Sequence, residues 1–223
     1  MEDEIKGRLK GVIELLLKHK EEMDRELYGS CHYKMLGIER GDSSMKNLKK
    51  WFIMATGPGW RGGPPKSFEE RKEMLKGFNE WYENVVSKIL PTYHEQEAMD
   101  KLYEELVKIK QIGPKIATVY LRDIIYHFNV WPELRDYLYL PIDRHVRNIL
   151  TDRLGVNKEE VLKEGESYLF PKNKKFQEEL SRVHKPRVEF DYLWYIGAKS
   201  CSFHLCDFCL LREYCRKMEP LEI

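Results

Sequence analysis

The sequence has no long apolar run. No stretch approaches the roughly 18 residues that a membrane-spanning helix needs, and no secretory leader is visible, so neither a bilayer anchor nor export is expected. Net charge is nearly absent: 38 Lys and Arg stand against 37 Asp and Glu, a formal +1. That excludes a global basic signature for nucleic acid and leaves only a local one. Alternation of apolar and polar residues with period two is lacking, which argues against half-buried strands, and no internal repeat is evident. Cysteine is scarce. Of five, four fall within 15 residues near the C-terminus, a spacing that excludes a secreted disulfide framework and points to a metal in a reducing compartment.

What is present is a core-forming composition. In 223 residues, 42% are hydrophobic and 34% charged, enough for one or two domains with a real interior. Charge is segregated. The first 30 residues hold 8 acidic and 6 basic groups, and residues 172–187 hold 6 basic and 2 acidic. Ile5, Leu9, Val12, Ile13 and Leu16 share one face of a helix over 3–27. Cys31 and His32 follow as a lone pair without an identifiable base, which is a structural pattern. Leu48–Thr56 reads as a helix ended by Gly57-Pro58-Gly59. Residues 57–64 hold seven Gly, Pro or Arg and one Trp, the composition of a loop. Ser67-Phe68-Glu69-Glu70 is a capping box opening a helix to about Leu90, where Pro91 stops it. Trp81, Tyr82 and Tyr93 read as core aromatics. Further helices span about 94–110 and 115–128. Val146, Ile149, Leu150 and Leu154 recur at helical intervals after Asp143, which makes Asp143 a helix N-cap. Residues 171–187 are polar and basic, and Val188–Tyr195 begin another helix.

Two stretches carry candidate chemistry. Gly113-Pro114 breaks the 94–110 pattern, and Pro114 suits the first turn of the helix that follows. The amides at such a terminus favour a phosphate oxygen, the kind of contact that fixes a protein's register on nucleic acid. Near the end, Cys201-x4-Cys206-x2-Cys209-x5-Cys215 gathers four thiolates, a set that suits zinc or a [4Fe–4S] cluster.

Ile109-Lys110-Gln111-Ile112-Gly113-Pro114-Lys115-Ile116-Ala117 resembles the helix-hairpin-helix of the DNA glycosylase superfamily that includes endonuclease III. Ile142-Asp143-Arg144-His145 resembles that family's aspartate-bearing segment. Phe190–Ser200, running through Gly197 into Cys201, resembles its last helix and the start of its cluster loop. The resemblance covers about 100–216. The chain departs from the family in three places. Lys110-Gln111 stands where Pro-Gly is usual, and glutamine resists the positive φ that glycine accepts. From Lys115 to Asp143 is 28 positions, longer than in endonuclease III, with Val130–Leu134 as the extra loop. The first cysteine gap is four residues where the family has six.

The resemblance implies an all-α, two-lobed helical glycosylase fold with a helix-hairpin-helix and a C-terminal iron–sulfur loop. One lobe is expected from 1–45 and 151–223, the other from 46–150. Lys115 is the implied nucleophile, and Asp143 the carboxylate that activates it and stabilises the sugar cation. Lys110, Gln111, Ile112 and Gly113 of the hairpin, with Arg144 and Arg147, are the implied DNA contacts. Arg61 suits a phosphate or an orphaned base, and Trp60 suits stacking on a base, worth about 1–3 kcal/mol. Cys201, Cys206, Cys209 and Cys215 would hold a structural [4Fe–4S] cluster, with zinc as the minor alternative, and set Lys199, Arg212 and Arg216 beside DNA. The expected activity is base-excision removal of a damaged or mismatched base from double-stranded DNA, with β-elimination nicking at the abasic site through a lysine Schiff base. The alternatives are a monofunctional glycosylase in which Asp143 directs water, and a non-catalytic DNA-binding module of the same fold. Oxidised pyrimidine, oxidised purine, and uracil or thymine opposite guanine all remain open as targets. A monomer in the cytoplasm, with no membrane partner, is expected, associated with the nucleoid in a prokaryotic source.

Overall fold

The computed structural model of the chain describes residues 1–28, 42–55, 67–161 and 166–216. Every regular element among them is helical, so the protein is all-α as its periodicity predicts. No described helix is long and apolar enough to cross a membrane. The chain divides into two compact units, Met1–Ser30 with Tyr139–Ile223, and Cys31–Leu138. The later boundary falls between Leu138 and Tyr139 rather than after residue 150. Asp143 and the helix it begins therefore belong with the chain termini.

In the unit Cys31–Leu138, the Phe68–Glu80 helix opens on the expected capping box. The Ser67 hydroxyl accepts from the Glu70 N–H at 3.2 Å, and the Glu70 carboxylate accepts from the Ser67 N–H at 2.8 Å. These bonds satisfy amides that a helix start leaves without intrahelical acceptors. The helix continues through a π-helical turn, Trp81–Val86, into Ser87–Thr92. Pro91 lies inside this last segment rather than stopping it at Leu90. A proline breaks a helix by removing one amide donor and clashing with the preceding turn. This close to the end little helix is left to break, and the Tyr93 N–H closes on the Ile89 carbonyl at 2.8 Å.

The interior of this unit is aromatic. Phe52 of the Met45–Ala55 helix meets Phe78 at 4.7 Å and Tyr120 edge-on at 5.2 Å. The Tyr120 hydroxyl donates to the Leu48 carbonyl at 3.2 Å, so a phenol is buried without losing a partner. Trp81 is buried, with its indole N–H on the Leu102 carbonyl at 3.2 Å, whereas Tyr82 and Tyr93 are only half-buried. One carboxylate is sealed in this core. Asp123 is fully buried, accepts from Trp51 Nε1 at 2.7 Å and pairs with Arg122 at 2.6 Å. Burial pushes its carboxyl up, and the Arg122 charge and both hydrogen bonds oppose the shift.

In the terminal unit, the first helix is Asp3–Lys18, and Ile5, Leu9, Val12, Ile13 and Leu16 are its buried residues. The single helix expected over 3–27 is broken at His19, and a second begins at Lys20. The basic stretch contains a helix that its charge obscured. Pro171–Val183 starts with Pro171 in the first turn and buries Phe176, Gln177 and Leu180. Arg187 does not face solvent: it is buried over the Tyr139 ring, 4.7 Å from its centroid, and donates to Ser181 Oγ at 2.9 Å. The last expected helix is a 3₁₀ turn, Arg187–Asp191, followed by Tyr192–Ile196 and a π-helical turn, Gly197–Cys201.

Candidate functional site

The hairpin is built from Glu95–Leu106 and Pro114–Arg122. Its turn is Ile109–Ile112, closed by the Ile112 N–H on the Ile109 carbonyl at 2.9 Å. The third residue, Gln111, has φ +71°. That is the left-handed conformation a type II turn requires at this position, where glycine is favoured. Glutamine thus adopts the conformation it was expected to resist. Its side-chain Nε2 donates to Glu70 Oε1 at 3.0 Å. Lys110 Nζ lies 3.0 Å from Glu73 Oε2, with both side chains more than half exposed, a pair worth at most about 1 kcal/mol.

Ile109 and Ile112 anchor the turn from beneath, at 9% and 4% exposure. A Cβ on Gly77 would sit 2.9 Å from Ile109 Cγ2, so glycine at 77 admits the turn to the Phe68–Glu80 helix. Of the four hairpin residues expected at DNA, Lys110, Gln111 and Gly113 reach the surface. The Ile112 side chain points into the core, and its N–H is used in the turn. Gly113 caps the next helix with Pro114 in its first turn, and the Ala117 N–H makes the first helical bond to the Gly113 carbonyl at 3.1 Å. Lys115 follows Pro114 and is half-buried. It stands at the positive end of the helix dipole.

Asp143 belongs to the terminal unit, so Lys115 and Asp143 lie in separate units, each at the start of a helix. Asp143 Oδ1 accepts from the His145 and Val146 N–H groups at 2.8 and 2.9 Å. It is therefore the N-cap of Arg144–Asn148, as its position predicts. Arg144 is exposed and Arg147 half-buried. The segment leading into Asp143 is irregular and buried, so its backbone groups need partners. Gln177 supplies two: its Oε1 accepts from the Leu140 N–H at 3.0 Å, and its Nε2 donates to the Leu140 carbonyl at 3.2 Å. The Tyr168 hydroxyl accepts from the Ile142 N–H at 2.8 Å. These two residues orient the aspartate segment and escaped sequence reasoning, whereas Gly197, which packs beside it, was read only as part of the lead-in to the cysteine loop. The available signal was the helical spacing of Phe176 and Leu180 around Gln177. A Cβ on Gly197 would lie 2.7 Å from His145 Cβ, 3.3 Å from Ile149 Cδ1 and 3.4 Å from His145 Cα. Glycine thus lets the chain entering the cysteine loop lie against the helix that Asp143 caps.

Cys201, Cys206, Cys209 and Cys215 are all half-buried and unpaired by disulfides. Burial pushes the Cys201 thiol up, followed by the neighbouring Cys209, with Arg153 acting the other way and Cys215 and Cys206 adding to the rise. Four thiols within electrostatic range of one another match, in number and type, the donor set of a Cys₄ zinc or [4Fe–4S] site. Among the described residues, no three His, Cys, Asp or Glu side chains are drawn together to ligand distance. The loop is tied down by buried Leu211 and by Tyr214, whose ring occupies the space beside Gly11 of the first helix. Lys199, Arg212 and Arg216 are exposed. Trp60 and Arg61, like Cys31 and His32, lie outside the described residues.

No protein-family model matches the chain, and no solved structure matches it. Over 52 residues it is 40% identical to an uncharacterized protein of Methanocaldococcus jannaschii. That match covers 22% of this chain and 12% of the relative's length.

Proposed function

We propose that the chain acts on double-stranded DNA as a base-excision glycosylase with an associated abasic-site lyase activity. The observation that carries this reading is the hairpin: a left-handed turn closed over Ile109–Ile112, with Lys115 just inside the helix that follows. Helix-start amides and an exposed Lys110 suit a phosphate. A primary amine at this position suits attack on a sugar.

In the proposed reaction, the bond from the base to deoxyribose C1′ breaks, and the base leaves with the electron pair and takes up a proton. The Lys115 amine forms the new bond to C1′, and ring opening gives a Schiff base. Loss of a proton from C2′ then expels the 3′ phosphate and nicks the strand. A lysine attacks as the neutral amine, and the proton released as the new C–N bond forms is one the departing base can take up. The Asp143 carboxylate serves positive charge developing on the sugar. Its two capping bonds hold it rigidly for that role. Extrusion of the base costs a few kcal/mol, least for damaged or mispaired bases. A cluster on the four cysteines, when bound, supplies a structural cross-link for the C-terminal loop.

Borohydride trapping on a panel of lesion duplexes tests the proposal. A covalent protein–DNA adduct that disappears in Lys115→Gln is the expected result. Base release without an adduct points instead to Asp143-directed water. DNA binding without release of any base leaves a binding module.

A further inference from the structure

The hairpin turn needs a left-handed residue at its third position, and the chain puts glutamine there. A side chain raises the cost of that conformation because Cβ crowds the backbone, a cost glycine escapes. The structure shows what stands beside it. Glu70 is the third residue of the Phe68–Glu80 helix and already serves the capping box through Oε2, which accepts from the Ser67 N–H at 2.8 Å. Its other oxygen, Oε1, accepts from Gln111 Nε2 at 3.0 Å. One carboxylate therefore joins a rigid helix start to the strained residue of a turn 41 positions further on. Glu73, one helical turn along, reaches Lys110 at 3.0 Å. Ile109 packs into the space left by Gly77 of the same helix. Two side-chain bonds and one close packing contact hold a four-residue turn against a single helix.

We propose that Glu70 is a positioning residue for the hairpin: by gripping the Gln111 amide it keeps the turn in the left-handed conformation that glycine would take unaided. Its consequence for DNA binding rests on the function proposed above. The conformational claim does not. A charge-assisted hydrogen bond in a partly buried site is strong enough to matter. Because the capping box fixes the Glu70 rotamer, little side-chain freedom remains to be lost in making the second bond.

The test uses the full chain in five variants: Glu70→Ala, Glu70→Gln, Gln111→Gly, the double variant Glu70→Ala/Gln111→Gly, and Ser67→Ala. Two measurements are made on each: amide hydrogen exchange across 106–117, and affinity for a plain fluorescent duplex. Glu70→Ala is expected to speed exchange in the turn about tenfold and to weaken duplex binding by a similar factor. Glu70→Gln keeps one acceptor oxygen and turns the other into a donor, so it serves the Ser67 N–H or the Gln111 amide but not both, and it is expected to fall between wild type and Glu70→Ala. The double variant is expected to recover, because glycine does not need the grip. Ser67→Ala weakens the cap while sparing the Glu70–Gln111 bond, so it lowers thermal stability without opening the turn.

A double variant as open as Glu70→Ala overturns the proposal, as does Ser67→Ala opening the turn equally. Faster exchange in Glu70→Ala with unchanged duplex affinity overturns its part in DNA binding. A wild-type chain that does not bind duplex at all rejects the DNA reading instead, and exchange alone then decides the role of Glu70.

Discussion

Gly197 offers a test of sign as well as size. It lies inside a continuous helical run, with φ −61° and ψ −44°, so alanine is conformationally welcome there. In an open helix interior, Gly→Ala stabilises by about 0.8–1.0 kcal/mol. At Gly197 the new Cβ would lie 2.7 Å from His145 Cβ and 3.4 Å from His145 Cα. Those atoms belong to the backbone-proximal part of the neighbouring helix and cannot rotate away. Overpacking of this kind costs about 1–3 kcal/mol, and with a rigid neighbour the upper half of that range applies. The net expectation is a loss of about 1–2 kcal/mol, or roughly 3–6 °C for a chain of this size. Gly7 is the control. It is an exposed position in the Asp3–Lys18 helix of the same unit, and a Cβ there meets nothing within 4 Å. Gly7→Ala is expected to raise the melting temperature by about 2–3 °C. Scanning calorimetry suits the measurement, because two units need not unfold in one step. If Gly197→Ala melts as high as Gly7→Ala, the close approach of the two helices is wrong.

The core carboxylate gives a second prediction. Trp51→Phe removes the 2.7 Å bond to fully buried Asp123, so the urea midpoint should fall by the equivalent of about 1.5–3 kcal/mol; a change under about 0.5 kcal/mol refutes the pairing. Acid titration gives a third. Burial works to raise the Glu179 carboxyl, but Lys6, through its hydrogen bond and charge, and Arg182 hold it below its ordinary 4.5. A depressed folded value contributes stability that is present above 4.5 and is lost as pH falls through the folded value. The stability gap between wild type and Lys6→Gln should therefore be full at neutral pH and close on the acid side of 4.5; a gap independent of pH excludes the linkage. For the cysteine loop, anaerobically purified protein is expected to be brown and to carry about four irons per chain. Cys209→Ser should lower that content, and stoichiometric zinc in place of iron would reassign the site.

What the residues determined alone is local. The apolar face of Asp3–Lys18, the Ser67–Glu70 capping box, the helix opening at Gly113-Pro114 and the Asp143 cap were all legible, because each depends on partners within about four residues and on backbone preferences that travel with residue type. The all-α class follows from the same periodicity. Where charge masked the pattern, as over Pro171–Val183, the helix was missed, because its apolar face is only a few residues wide. Tertiary structure decided the rest. Gln111 takes a left-handed φ with an acceptor 41 residues away in the chain. Leu140 and Ile142 have their backbone groups satisfied by Gln177 and Tyr168. Gly197 admits His145, and Trp51 serves a buried Asp123. Each is a contact between distant positions whose residue types have no preferred spacing, so only the packing of helices brings donor to acceptor and shows which strained or buried group is satisfied.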